Sequence, residues 1–420
     1  MQKRIDLGDP TTARLTKALS SLFEIPGTAN RITPMEGMRG YAVLLVFLVH
    51  HHSLFGYLLP ASGGLYDLSA HAHDIGHSGV DLFFVLSGFL IYGHLLQRAP
   101  SYLSYLGKRL HRIYPTFISV FCLYIAFSLV VPSVSRLPHP ASRALLYVIE
   151  NLLFLPGIFA IEPLITVTWS LSYEFFFYLS IPLLIHLTGL RQWRRSRRIA
   201  LFLGLLLAHF LGSYFGVLPH IRLSLFLVGI LLYEVTDSPW NKEQLSRFSE
   251  LAAVGVYAVT LLSLTFFEFG RNGIRFHPHF PNRSFVYWAV SLSFGLFGLT
   301  LHAIAFKGIL RRFFALTPLR WLGNMSYTYF LCHGIVLNAI AYGLRGVLAP
   351  QSLSSISFGL LLVLNVIATL VASTLLFAVV EKPLSLVGRR NRKATPNAGS
   401  VQPIPALSAR VSPEFAGSED

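Results

Sequence analysis

Two residue sets in this sequence have the types and spacing for transfer chemistry in an apolar setting. The first is Arg39 and His50, which stand eleven residues apart in a mostly apolar run. At about 100° per residue that is three turns plus about 20°, so both project from one helix face, about 16 Å apart along the axis. An imidazole, with an ordinary pKa of about 6.5, can take a proton from a hydroxyl near neutral pH. A guanidinium cannot act as a base, but it can hold anionic groups and position a donor. Glu36 lies three residues before Arg39, where it can pair with it. The plain alternative is that Arg39 is a surface anchor and His50-His51-His52 an interfacial cluster.

The second set is scattered through the most apolar stretches. An ionisable group at the centre of a membrane span costs about 2.5–3.5 kcal/mol on insertion scales, so each is a candidate for function or for a buried pair. Asp81 lies six residues before Ser87, about 240° around a helix, so these two form no dyad within one helix. Asp81 is equally readable as a structural group that caps or orients a neighbour. Ser170, Glu174 and Tyr178 are four apart and line one face; Glu174, within an aromatic run, must be paired or protonated. Ser326, Tyr329 and His333 share another face, and Glu381 closes the last apolar run at Glu381-Lys382-Pro383. Arg109 and Arg112, at i and i+3, are neighbours on a helix surface and suit forked hydrogen bonds to phosphate. Their alternative role is to set topology and touch lipid headgroups. A satisfied structural network explains each face singly; several in one bundle point to a polar cavity.

These residues need elements to hold them. Of the 420 residues, 53% are hydrophobic and 13% charged, about half the charge of a typical soluble chain. That composition indicates an all-α polytopic membrane helix bundle and argues against disordered, fibrous and disulfide-rich classes. The net charge of +15 suits a membrane protein whose cytoplasmic loops collect Lys and Arg better than a nucleic-acid binder. The two cysteines, Cys122 and Cys332, lie in apolar stretches and suggest neither a disulfide framework nor a metal site.

At about 20 apolar residues per span, about ten transmembrane helices are expected, over 38–58, 79–97, 113–132, 165–188, 199–217, 220–235, 251–269, 285–306, 321–343 and 356–380. The sixth is short. The segment 145–160 is too short to span and reads as re-entrant or interfacial. With both termini cytoplasmic, 27 of the 34 Lys and Arg residues fall inside, although the loop 270–284 is basic and expected outside. The first 37 residues hold no apolar run, so no cleaved signal peptide is expected. The expected layout is a cytoplasmic N-terminal tail over 1–30, the membrane domain over 31–385 and a disordered cytoplasmic tail over 386–420. No internal repeat and no appended soluble domain are visible.

The chain resembles the acyltransferase 3 family of integral membrane O-acyltransferases. The resemblance rests on Glu36-Gly37-Met38-Arg39-Gly40 followed by His50, Gly79–Ile91, Arg109–Pro115, Trp169–Pro182, Ser326–His333 and Glu381-Lys382-Pro383, in the family's order over 31–385. Glu36 stands where an aspartate is common, and Cys332 where a tryptophan is usual. Without the esterase-like domain that some members add, the chain resembles a stand-alone member. The resemblance implies that Arg39 and His50 serve catalysis and that Arg109 and Arg112 hold acyl-coenzyme A on the cytoplasmic side. Acyl-coenzyme A is then a co-substrate, with no bound cofactor. The acyl group, acetyl by expectation, goes to a hydroxyl of a glycan or lipid-linked glycan in a bacterial inner membrane.

On this reading His50 is the general base, and Glu174, Asp81 or His333 orients it or the acceptor. Direct attack and a covalent acyl-histidine intermediate both satisfy the chemistry. Three rivals stand beside it: a transporter or flippase exporting an acylated product or an acid, a structural or sensor bundle, and the other superfamily of membrane-bound acyltransferases with an intramembrane histidine. The ordered motifs argue against the last.

Overall fold

The structure is a computed structural model that describes residues 10–25, 32–236, 247–266 and 283–387. Within these residues the chain is helical and forms no sheet; an isolated bridge joins Pro156 and Phe159. The helices are α1 (Pro10–Phe23), α2 (Thr33–Phe55), α3 (Gly64–Gly76), α4 (Ser78–Arg98), α5 (Tyr102–Val130), α6 (Ala141–Leu152), α7 (Thr168–Leu187) and α8 (Arg195–Tyr214). They continue with α9 (Ser224–Thr236), α10 (Arg247–Phe266), α11 (Arg283–Ala305), α12 (Ile309–Phe314), α13 (Thr317–Asn324), α14 (Ser326–Leu344) and α15 (Ser355–Leu376), which runs into a π-helix, Phe377–Val387.

Within the described residues each of the ten expected spans is mainly helical, with 321–343 divided between α13 and α14 at Met325. Among the described residues, seven helical segments are long and apolar enough to cross a membrane, so the fold is a polytopic membrane helix bundle. The other three fall short for visible reasons. α9 has 13 residues after a 3-10 turn at Ile221–Leu223. For α10, Ser249–Ser263 is the apolar stretch within the described residues, too short by itself to span. α14 carries Ser326, Thr328, His333 and Asn338 within its length. The segment around 145–160 does not span: α6 has 12 residues, exposes Leu145, Leu146 and Ile149, and buries Tyr147 and Asn151.

Local chemistry fixes how the helices approach. A Cβ added at Gly37 would strike the carbonyl oxygen of Phe314, one at Gly40 that of Leu319, and one at Gly323 that of Glu36. α2 therefore lies backbone to backbone against α12 and α13. The same device works reciprocally between α4 and α9, where Gly88 meets the Phe226 carbonyl and Gly229 the Val85 carbonyl. Lipid tails are as apolar as leucine, so helices in a bilayer gain little from hydrophobicity alone and associate where small residues allow close contact. A buried polar pin adds to the α4–α9 contact: Glu234, 0% exposed, accepts from Tyr92 and, at 2.6 and 3.0 Å, from Arg198 of α8.

Three features add to the sequence expectation. α3 was not expected; it joins α4 into the continuous helical segment Gly64–Arg98. α5 begins eleven residues before the expected span, so Arg109 and Arg112 lie on that helix rather than ahead of it. The N-terminal segment, read as a tail, contains α1. Its Phe23 stacks on Trp321 at 5.5 Å, and Lys382 Nζ donates to the carbonyls of Ser21 at 2.5 Å and Leu22 at 2.6 Å, at the C-terminal end of the helix where such groups lack partners. The loop 270–284 lies almost entirely, and the tail from 388 wholly, outside the described residues.

Candidate functional site

The break between α13 and α14 at Met325 puts Ser326 and Thr328 in the first turn of α14, where backbone N–H groups have no partner within the helix. Glu381 supplies one. Its Oε2 accepts from the Thr328 N–H at 3.1 Å and from the Thr328 hydroxyl, a carboxylate set on the positive end of a helix dipole. Its Oε1 lies 3.3 Å from Nη2 of Arg112, and the carboxylate is fully buried. Glu381 sits within the π-helix, an irregularity that recurs at functional positions.

Arg39 enters this cluster from α2, its Nε donating to Ser326 Oγ at 3.1 Å. Across from it, Glu174 of α7 accepts from Ser87 of α4 at 2.9 Å and from Tyr178, one turn further along α7. The Arg109 guanidinium lies over the Tyr105 ring at 5.3 Å and the Tyr178 ring at 5.4 Å. Three guanidiniums and two carboxylates therefore meet at one end of the bundle, with one positive charge in excess.

At the other end, the three successive histidines of α2 fan out at about 100° per residue. His51 is buried among the rings of Phe47, Phe55 and Phe358. His52 bonds Ser69 of α3 through Nδ1 at 2.9 Å, and its ring lies 5.4 Å from that of His73. His50 turns inward, its ring 5.0 Å from His333 of α14. The Nδ1 of His333 lies 3.1 Å from the Tyr329 carbonyl oxygen, which can only accept, so Nδ1 bears the proton. Nε2 then carries a lone pair, buried and without a hydrogen-bond partner among the described residues.

A cavity opens at each of these ends. One of about 90 Å³ is lined by Arg39, Ser87, Glu174 and Ser326 within an otherwise mainly apolar wall that includes Phe83 and Ser170. The other, of about 580 Å³, is lined by His50, His52, His73, His77, Arg136 and Trp169 among others. Val80 and Phe330 line both and form the partition between them. The Phe330 ring contacts Phe83 on one side, at 5.9 Å, and His333 on the other, at 6.1 Å. His50 and Arg39 thus line neighbouring cavities that share Val80 and Phe330.

The structure brings together most of the residues singled out from sequence, though not always in the expected pairs. Glu36 does not pair with Arg39; Arg320 of α13 donates to it at 3.2 Å and also meets Glu24 at 3.3 Å. The cause is the close α2–α13 approach, which sets Arg320 beside Glu36. Asp81 is fully buried but lies 3.6 Å from Arg222 of the 3-10 turn before α9 and lines neither cavity. Tyr329 shares a face with Ser326 and His333 but also lines neither. Of the three candidates for a partner to His50, His333 is the one beside it. Sequence reading missed Arg136, His73 and His77, which join His50 in the larger cavity. The i, i+4 spacing of His73 and His77 was the available signal, but it lay between the apolar runs used to count spans.

Comparison with known proteins gives a consistent result. A family model described as an acyltransferase domain matches residues 33–380. The chain is 26% identical over 360 residues to the O-acetyltransferase OatA of Staphylococcus aureus, a match covering 79% of this chain and 54% of that protein, so the chain spans about half the length of that relative. It is also 26% identical over 406 residues to the acyltransferase MdmB of Streptomyces mycarofaciens, covering 88% of this chain and 96% of that one. An uncharacterized protein of Haemophilus influenzae is 29% identical over 225 residues, 47% of this chain and 90% of its own. No solved structure matches the chain.

Proposed function

This chain belongs to the acyltransferase 3 family, and we propose that it is a membrane-embedded O-acyltransferase that moves an acetyl group from cytoplasmic acyl-coenzyme A to a hydroxyl of a glycan or lipid-linked glycan on the far side. The observation that carries the reading is the pair of cavities meeting at Val80 and Phe330, one holding Arg39 and the other His50. A donor and an acceptor that must not mix in bulk solution each have a compartment, and the reacting atoms need cross only one thin partition.

In this proposal the donor enters at the arginine end. Arg109 and Arg112 hold its phosphates, as point charges and by forked hydrogen bonds. Arg39 aligns the arm that carries the thioester. The acceptor enters the histidine chamber, where His50 takes the hydroxyl proton as the oxygen attacks the thioester carbonyl. The new C–O bond forms as the C–S bond breaks, and the proton ends on the departing sulfur, leaving coenzyme A as its thiol. His333 positions the His50 ring through the lone pair on Nε2. The small, largely apolar donor-side cavity favours a short acyl group, in keeping with acetyl. In the same proposal, all ten spans cross, the distribution of Lys and Arg places both termini in the cytoplasm, and the chain sits in a bacterial inner membrane.

The test is to incubate membranes containing the protein with acetyl-coenzyme A radiolabelled in the acetyl group. Label should appear on a glycan hydroxyl with release of the free thiol, and should be absent from membranes lacking the protein. Label that crosses the membrane unchanged, with no ester formed, would instead mean transport.

A further inference from the structure

The histidine chamber has a chemical character of its own. Its volume of about 580 Å³ lies within the range of about 300–1,000 Å³ typical of ligand sites. Tyr57, Tyr66 and Trp169 offer ring surface with polar edges, the amphipathic lining that suits a sugar ring. Its polar wall is made of imidazoles, a guanidinium, an amide and hydroxyls, and none of the described lining residues is a carboxylate. Among the described lining residues the one permanent charge is Arg136.

Arg136 is not consumed by structure. One Nη donates to the Pro163 carbonyl at 2.8 Å, out of five N–H groups on the guanidinium. The carboxylate nearest to it, Glu162 at 3.7 Å, is 72% exposed and Arg136 itself 38%, so the pair is a weak, water-screened one and does not hold the guanidinium away from an anion in the chamber. Asp74 is engaged by His73 at 3.0 Å and is not a lining residue. Arg136 and His50 line the same cavity, so an anion held at the first brings neighbouring hydroxyls of the same molecule toward the second.

We infer that the histidine chamber binds an anionic glycan, a saccharide bearing a negatively charged group close to the hydroxyl that is acylated, with Arg136 reading the charge. In calling this ligand the acceptor, the inference rests on the proposed function; the charge preference of the chamber does not.

The experiment uses the full chain in lipid nanodiscs and two radiolabelled probes of equal length, a neutral tetraglucose and a tetragalacturonate. Equilibrium binding is read first, without donor. The expected result is at least tenfold tighter binding of the tetragalacturonate. The preference should be lost in Arg136→Gln, partly kept in Arg136→Lys, and reduced by added salt as an electrostatic contact requires. Equal binding of the two probes, or a preference that survives Arg136→Gln, would overturn the inference. Acetyl transfer is read second on the same preparation. Charge-selective binding with no transfer to either probe and no thiol release would leave the subsite standing and count against the proposed function. Transfer to both probes with equal KM would do the reverse.

Discussion

The His333 ring stands 5.0 Å from that of His50 and is held by the Tyr329 carbonyl in the tautomer that leaves Nε2 unprotonated. The two rings share no hydrogen bond in the structure; in the proposed mechanism a turn of the His50 ring lets it donate to this lone pair, which fixes which His50 nitrogen is free to act as base. His50→Gln is expected to lower acetyl transfer by about 10²–10⁴-fold, the usual worth of a general base, with unchanged protein abundance in the membrane. Wild-type turnover in that variant would remove His50 from the mechanism. His333→Phe should lower kcat by about tenfold, the value of one hydrogen bond of roughly 1–1.5 kcal/mol, while the KM for acetyl-coenzyme A stays put. His333→Gln, which keeps an acceptor, should recover part of the loss; a residue that merely fills space would be served as well by phenylalanine.

Arg109 and Arg112 part company once their neighbours are considered. Arg109 rests on two tyrosine rings, whereas Arg112 neutralises the fully buried Glu381. Arg109→Ala should raise the KM for acetyl-coenzyme A by about 10–100-fold, as loss of a charged hydrogen bond of roughly 1.5–3 kcal/mol implies, and should leave thermal stability unchanged. Arg112→Ala should weaken the donor too, and also destabilise the bundle by about 3–5 kcal/mol, because it strands a buried carboxylate. Steady-state kinetics and melting of the detergent-solubilised variants separate the two effects. An unchanged donor KM in both variants would return the arginines to a topological role.

The alignment of Arg39 with His50 was legible because both lie on one helix, where the period alone fixes the angle. The same holds for Ser170, Glu174 and Tyr178. Partners across helices were not legible. Glu36 takes Arg320, and Asp81 takes Arg222, because glycine contacts set which helices touch, and nothing in the local pattern names the partner. The partition at Val80 and Phe330 was hidden for the same reason: both are ordinary apolar residues until two helices bring them together. α3 escaped notice because its histidines and aspartates interrupt the apolar signal by which spans are counted, although its His73, and His77 just beyond it, line the chamber.

Phe83 lines the Arg39 cavity and packs against Phe330; in the proposed function this cavity receives the acyl group. A wall of this kind selects by size, and each methylene it excludes is worth about 1–3 kcal/mol of discrimination. Phe83→Ala should raise the kcat/KM for butyryl-coenzyme A relative to acetyl-coenzyme A by about tenfold or more, read as thiol release with a common acceptor. An unchanged ratio would mean that the acyl group does not sit in this cavity.

The glycine contacts make a sharper test of the architecture, since they predict opposite outcomes for the same substitution. Gly40 lies next to Arg39, and its added Cβ would strike the backbone carbonyl of Leu319, which cannot swing aside as a side chain can. Gly40→Ala must therefore push α2 away from α13, carrying Arg39 and His50 with it, at a cost of about 1–3 kcal/mol or more. Gly107 of α5 has open space where the Cβ would go. Gly107→Ala should be neutral or stabilising, because alanine is the better helix former by about 1 kcal/mol. Melting of the two variants by fluorescence-detected size exclusion gives the comparison. If Gly40→Ala melts with Gly107→Ala, α2 and α13 are not in backbone contact, and the alignment of the arginine and histidine ends loses its support.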